Sequence, residues 1–318
     1  MKRKKKIIIT GAGGYVGATL VAALKDEYEV VGFGHGAEID ADITDYKKLS
    51  RAAKGAYAII HTASPTKESW CNEHPYEALK TIVFGTRNIR RAAEENKVPL
   101  LVHFSTQAVY SNFAKRPLPL REDMELQPDT FYGALKALAE EELRDKRQET
   151  GNKRQATSDK RQVVVLRPAN IYGRGAGAMR GNVVHAFAEN VRNGKPLTLN
   201  GGGKQRVDFV HVRDIARLVK IIITKHITQS TKQKIKNGGR VVVINIGSGR
   251  ATSIRDIARL VVAETKRLKK KPPEIISHPV PAGTIAADRW LSIAKARKHY
   301  GWKPEIILEQ GVKELLRE

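Results

Sequence analysis

Hydrophobic positions alternate between two periods along the first half of the chain. Ile7–Thr10 is a short β-branched run that stops at glycine, and Tyr15–Leu24 carries small and apolar residues at helical spacing. The alternation then repeats. Glu29–Phe33 and Ala56–His61 are strand-like around a helical Asp45–Ala53, and a long helix over Tyr76–Glu95 precedes the strand-like Leu100–Ser105. Thr130–Arg147 predicts a helix and Gln162–Leu166 a strand; Val207–Val212 and Val241–Ile246 are later strands, followed by helices from Asp214 and Ser253. Residues 148–161 and 224–240 read as surface loops, and no fixed-period repeat is visible. Apolar strands alternating with helices require crossover connections, hence an α/β fold with a parallel sheet covered on both faces.

The first strand runs straight into Thr10-Gly11-Ala12-Gly13-Gly14-Tyr15-Val16-Gly17, which opens the first helix. Gly11 suits a tight turn, Gly14 lets backbone approach a pyrophosphate, and Gly17 lets helix and strand pack closely. The free amides around Tyr15 and Val16 then face an anion at the positive end of the helix. This context predicts a doubly wound Rossmann sheet over residues 1–173, with returns near 207–222 and 241–246. A smaller, discontinuous C-terminal substrate domain takes most of 174–318. The end of the second strand is Gly34-His35-Gly36, with neither the acid that marks NAD nor the arginine that marks NADP. Two readings of Asp42 and Ile43 stand: an adenine contact by the acid and the next backbone amide, or a helix cap by Asp42 or Thr44.

The chain has 318 residues, 41% apolar and 28% charged, which is a globular balance. Its net charge of +24 raises the question of nucleic acid. Most of the excess lies in residues 2–6, 144–161, 225–240 and 266–271, a tail, loops and a helix end, so it decorates the periphery. No aromatic residue falls inside these runs, which argues against stacking on bases, and nucleic acid is not the expected partner. Cys71 is the only cysteine, which excludes an internal disulfide and fits a reducing cytoplasm. No run is long enough for a membrane helix, and the apolar run after Lys6 is too short for a signal-peptide core. The nine histidines show no ligand spacing, so no metal is expected.

Tyr132 and Lys136 stand at i and i+4 on a predicted helix and share one face. An ammonium beside a phenol favours the phenolate, and an oxidised nicotinamide would add a second positive charge. Tyr132 then serves as general acid/base for a hydroxyl/carbonyl pair. Ser105 and Thr106 follow the fourth strand, and ligand sites in parallel sheets lie beyond the carboxyl ends of strands. A hydroxyl there can bond the same substrate oxygen.

With these residues in place, the chain resembles the extended short-chain dehydrogenase/reductases, the NAD-dependent sugar epimerase/dehydratase group, over almost its whole length. His61-Thr62-Ala63-Ser64 resembles the family's strand end beside the cofactor, and Gly85-Thr86-Arg87-Asn88 its Gly-Thr-x-Asn. Ser105–Tyr110 resembles its Ser-Ser/Thr-x-x-Val-Tyr, which puts the catalytic hydroxyl on Thr106. Leu166–Gly173 resembles Leu-Arg-x-x-Asn-Val-Tyr-Gly, Arg206–Val212 the segment whose arginine grips a diphosphate, and Asn245–Gly249 and Ser292–Pro304 the C-terminal landmarks. The resemblance implies catalysis by Thr106, Tyr132 and Lys136. It implies a cofactor site of Gly11, Gly14, Tyr15, Val16, Gly17, Asp42, Ile43, His61, Thr62, Ala63, Tyr132, Lys136 and Pro168. Ser64, Thr106, Asn170 and Arg206 would face a nucleotide-sugar substrate, and a homodimer would form through the helices near 76–95 and 130–147.

The departures from the family matter as well. Pro279–Thr284 lacks the arginine the family places near residue 281, and Arg289 stands close enough to substitute for it. Arg213 replaces the acid common before Asp214. Gln107 and Ala108 replace the Asp-Glu pair of sugar dehydratases, against a 4,6-dehydratase. The expected activity is an NAD-dependent nucleotide-sugar epimerase, at carbon 4 of a UDP-sugar. An NADPH-dependent carbonyl reductase is the alternative, and a non-catalytic nucleic-acid binder of the same fold is an alternative of another class.

Overall fold

A computed structural model of the chain describes residues 3–110, 116–144, 161–177, 182–232, 241–280 and 287–317. Six strands pair in parallel into one sheet. They are β1 (Lys6–Thr10), β2 (Glu29–Phe33), β3 (Ala58–His61), β4 (Leu100–Phe104), β5 (Gln162–Pro168) and the strand Val241–Ile246. Across the sheet the order is Val241–Ile246, β5, β4, β3, β1, β2. The chain leaves β1 outward to β2 and returns past it to β3. The direction of winding therefore reverses between β1 and β3, and a crevice opens there beyond the strand ends.

Each strand is mostly apolar, and its side chains segregate by alternation. Ile7, Ile9, Ile60, Val102 and Ile244 pack in one layer with Leu20, Leu24, Ile215 and Val219. Ile8, Ile59, Leu101 and Val163 pack in the other with Leu49, Ile89 and Ala92. A separate apolar cluster gathers later residues, among them Phe187, Leu197, Leu199, Phe209, Ile257, Val261 and Leu315.

Local caps explain where the helices begin. Thr130 accepts from the Gly133 amide at 3.0 Å, which starts the helix Phe131–Glu142, and Ser253 caps Ile254–Arg267. Several expectations shift. The long helix before β4 is a helix Pro75–Leu79, a π turn Lys80–Phe84 and a helix Gly85–Glu95, preceded by a short helix Glu68–Glu73 that periodicity did not predict. The helix expected from Asp214 starts at Val212 and runs to Lys232, through residues read as loop, where His226 is buried and Ile227 packs against the core. Residues 206–207 and 209–211 do not join the main sheet; they pair with Thr252–Ser253 and Asn170–Tyr172. The basic residues 145–160 and 233–240, and 281–284 of the segment lacking the family's arginine, lie outside the described residues.

Candidate active site

A cleft of about 520 Å³ opens at the carboxyl ends of β1, β3, β4 and β5. It brings together Gly11, Gly14, Tyr15, Val16, Gly17, Thr62, Ser64, Thr106, Tyr132, Lys136, Pro168 and Asn170, all of them singled out by the sequence.

The floor under β1 is shaped by glycine. Gly11 holds φ at +70°, and a Cβ on it would lie 2.7 Å from the Ala63 nitrogen. At Gly17 a Cβ would lie 2.1 Å from the Gly11 carbonyl oxygen, so only hydrogen fits between loop and helix. No side chain caps the helix Tyr15–Leu24 and no acid sits in its first turn. Its leading amides and positive dipole end are therefore free to meet a phosphate. The Tyr15 hydroxyl crosses the cleft and donates to the Gly173 carbonyl at 2.5 Å.

The opposite wall carries the hydroxyl, phenol and ammonium that the sequence singled out. Thr106 ends β4, and its Oγ1 accepts from the Ala108 amide at 3.2 Å. The Thr106 hydroxyl beside the Tyr132 phenol partly offsets the rise that burial imposes on it. Lys136 is buried and donates to the Phe104 carbonyl at 2.6 Å. Burial lowers its pKa to about 8, opposed by the charge of Glu140. The expectation that Lys136 would pull the Tyr132 phenol downward is not met in this structure. The ammonium is turned to the strand carbonyl, and desolvation dominates at the phenol.

Beneath these groups lies a buried network that sequence reasoning missed. Glu140 accepts from Ser105 Oγ at 2.5 Å and takes a two-pronged ion pair from Arg167 at 2.9 and 2.5 Å. Arg167 also donates to the Tyr110 hydroxyl, which donates to Asn245 Oδ1, both at 2.8 Å. The signal was the spacing of Tyr132, Lys136 and Glu140 at i, i+4 and i+8, which puts all three on one helical face.

Six predicted residues lie outside the cleft wall. Ala63 packs behind Gly11. His61 is buried between Thr10 Oγ1 (2.8 Å) and Thr86 Oγ1 (3.1 Å). Thr86 gives its proton to the Ile82 carbonyl, so His61 donates through Nε2 and accepts at Nδ1. It is neutral, and burial depresses its pKa to about 3. Asp42 accepts from the Thr44 amide and hydroxyl at 2.7 and 2.6 Å, and Ile43 is buried under Gly85. Asp40 and Asp42 both reach within 3.8 Å of His35, beyond the end of β2. Arg206 is held by Asp288 at 2.7 and 2.8 Å with its guanidinium over Trp290, and Arg289 faces Asp129. The cleft adds Thr66, Lys67, Ser105 and Asn182. Asn182 caps the helix Val183–Arg192 through its Oδ1 and donates to the Ile171 carbonyl at 2.5 Å.

A glycine-floored crevice beside a hydroxyl, phenol and ammonium defines the chemistry of the short-chain dehydrogenase/reductase class. The family model described as the NAD dependent epimerase/dehydratase family matches residues 7–247, and the chain belongs to that family. It is 27% identical to a UDP-glucose 4-epimerase of Mycolicibacterium smegmatis, covering 96% of each chain. It is 22% identical to dTDP-4-dehydro-6-deoxyglucose reductase of Escherichia coli, covering 99% of this chain and 98% of that one. Among solved structures, a UDP-glucose-4-epimerase from Stenotrophomonas maltophila with NAD and formylated UDP-arabinopyranose superposes with a TM-score of 0.82 at 18% identity, covering 98% of this chain and 97% of the other.

Proposed function

We propose that this protein is an NAD-dependent epimerase of nucleotide sugars, acting at carbon 4 of a UDP-linked sugar. The observation that carries the reading is the joining of Thr106, Tyr132 and Lys136 to the glycine floor in one cleft. The uncapped helix end and the crowded Gly11 and Gly17 fit a dinucleotide pyrophosphate at Gly14–Gly17. Two carboxylates near His35 would repel a 2′-phosphate, which favours NAD over NADP.

When bound, NAD supplies a hydride acceptor and a positive charge beside the phenol. Tyr132 takes the proton of the sugar hydroxyl and later returns it, and Thr106 holds the same oxygen throughout. Lys136 contributes positive charge, and its bond to the Phe104 carbonyl keeps it close to the end of β4. The keto-sugar turns and is reduced on its other face, so no net oxidation occurs. Asn170, whose Nδ2 donates to the Asp208 carbonyl at 2.9 Å, offers its amide oxygen to the nucleotide end of the substrate, and Asn182, engaged as a helix cap, lines the same wall. Among the described residues no Asp or Glu lines the cleft, so none of them offers a carboxylate pair for dehydration.

Exposed Tyr76, Phe84 and Leu138 lie on neighbouring helices and support a homodimer through that face. The single, buried cysteine supports a reducing, cytoplasmic setting. The direct test is to denature purified protein and identify the released dinucleotide by mass spectrometry. Near-stoichiometric NAD supports an epimerase that never exchanges its cofactor. NADP, or a protein that consumes added NADPH, turns the assignment to a reductase.

A further inference from the structure

We propose that Lys67 determines substrate specificity by pairing with an anionic group on the sugar itself, a carboxylate, at the reacting end of the cleft. The inference rests on the nucleotide-sugar reading above. Among the described residues two cations line the cleft, Lys67 and Lys136. Lys136 is buried and its ammonium is engaged by the Phe104 carbonyl. Lys67 is exposed, and its ammonium makes no hydrogen bond or ion pair with any described residue. Arg206 and Arg289, the other cations expected to meet substrate, face Asp288 and Asp129 instead.

Placement decides which part of the substrate Lys67 meets. Thr106 follows β4, which lies between β3 and β5 in the sheet. Lys67 comes from the β3 side and Asn170 from the β5 side. A substrate held by its nucleotide end at Asn170, with its reacting carbon at Thr106, turns its far substituent toward Lys67. The helix Glu68–Glu73 that Lys67 introduces packs against the helix of Tyr132, and the charge of Glu68 is felt at the Tyr132 phenol. A neutral sugar would leave Lys67 to water, whereas a carboxylate would gain a charge-assisted hydrogen bond.

The test is calorimetric titration of the NAD-loaded protein and its Lys67→Gln variant with UDP, UDP-glucose and UDP-glucuronic acid. Wild type is expected to bind UDP-glucuronic acid about tenfold more tightly than UDP-glucose. Lys67→Gln should lose that preference and leave UDP and UDP-glucose binding unchanged, which also shows that the variant is folded. Equal binding of the two sugars by wild type overturns the proposal and leaves the epimerase reading intact. If the variant weakens UDP itself to the same extent, the lysine serves the diphosphate and the proposal fails. Binding of none of the three removes both the proposal and the nucleotide-sugar reading.

Discussion

At Tyr132, burial and chemistry act in opposite directions. Desolvation drives the phenol upward while the Thr106 hydroxyl eases it back, so in the proposed reaction the residue needs the added positive charge of a bound cofactor to act as a base. Tyr132→Phe is expected to abolish turnover and leave NAD binding nearly intact; loss of both, read by nucleotide release and fluorescence titration, would make the residue structural. In the proposed reaction Lys136 sets the alkaline limit. Its ammonium is present below a pKa of about 8, so kcat/KM should fall as pH rises through that value. Stability follows the opposite sign. The unfolded chain keeps this proton to about 10.5 while the folded chain releases it near 8, so this group makes the fold more stable as pH rises between them. The residues that sequence made legible here are those whose partners are near in the chain or in a known turn. The ion pair that holds Arg206 was not legible because its partner Asp288 stands 82 residues away, and nothing in the local pattern announces an ion pair at that distance. Lys67 was missed because an irregular connection has no periodicity to show which side chain meets a cleft.

Among the elements, the helix Phe131–Glu142 does the most with the fewest residues. One face delivers Tyr132 to Thr106, Lys136 to the Phe104 carbonyl and Glu140 to Arg167. The Glu140–Arg167 pair is 2% exposed on both sides, so its energetics depend on both charges being present. Glu140→Ala strands a buried guanidinium and should cost about 3–5 kcal/mol in denaturant unfolding. Replacing Glu140 and Arg167 together by methionine should recover most of that loss. Failure of the double variant to recover would mean that Ser105 and Tyr110 depend on the charges themselves. The start of this helix was readable from Thr130, and its strands from β-branched runs bounded by glycine. The π turn was not, because one extra residue barely disturbs the spacing of apolar positions.

For the whole molecule, the six strands were legible from sequence but most of their order was not, since apolar runs of similar composition do not announce their neighbours. The separate cluster around Phe209 and Ile257 was equally hidden, because its residues come from segments scattered between 172 and 316. Association is the property best tested at this scale. Leu138 is 51% exposed and Tyr76 67%, on helices that lie side by side. Leu138→Lys is expected to shift sedimentation from dimer to monomer while leaving the thermal transition of the monomer in place. The π turn at Lys80–Phe84 lies along this same face. A π turn closes i→i+5 hydrogen bonds and so takes in one residue more than a regular turn, which keeps its two flanking halves nearly in phase. Deleting one residue there would leave a regular helix with Gly85 still seated on Ile43 and Tyr76 still on the outer face. The extra residue is thus slack in the winding, removable without turning the half that packs on the sheet against the half that meets solvent or a second subunit.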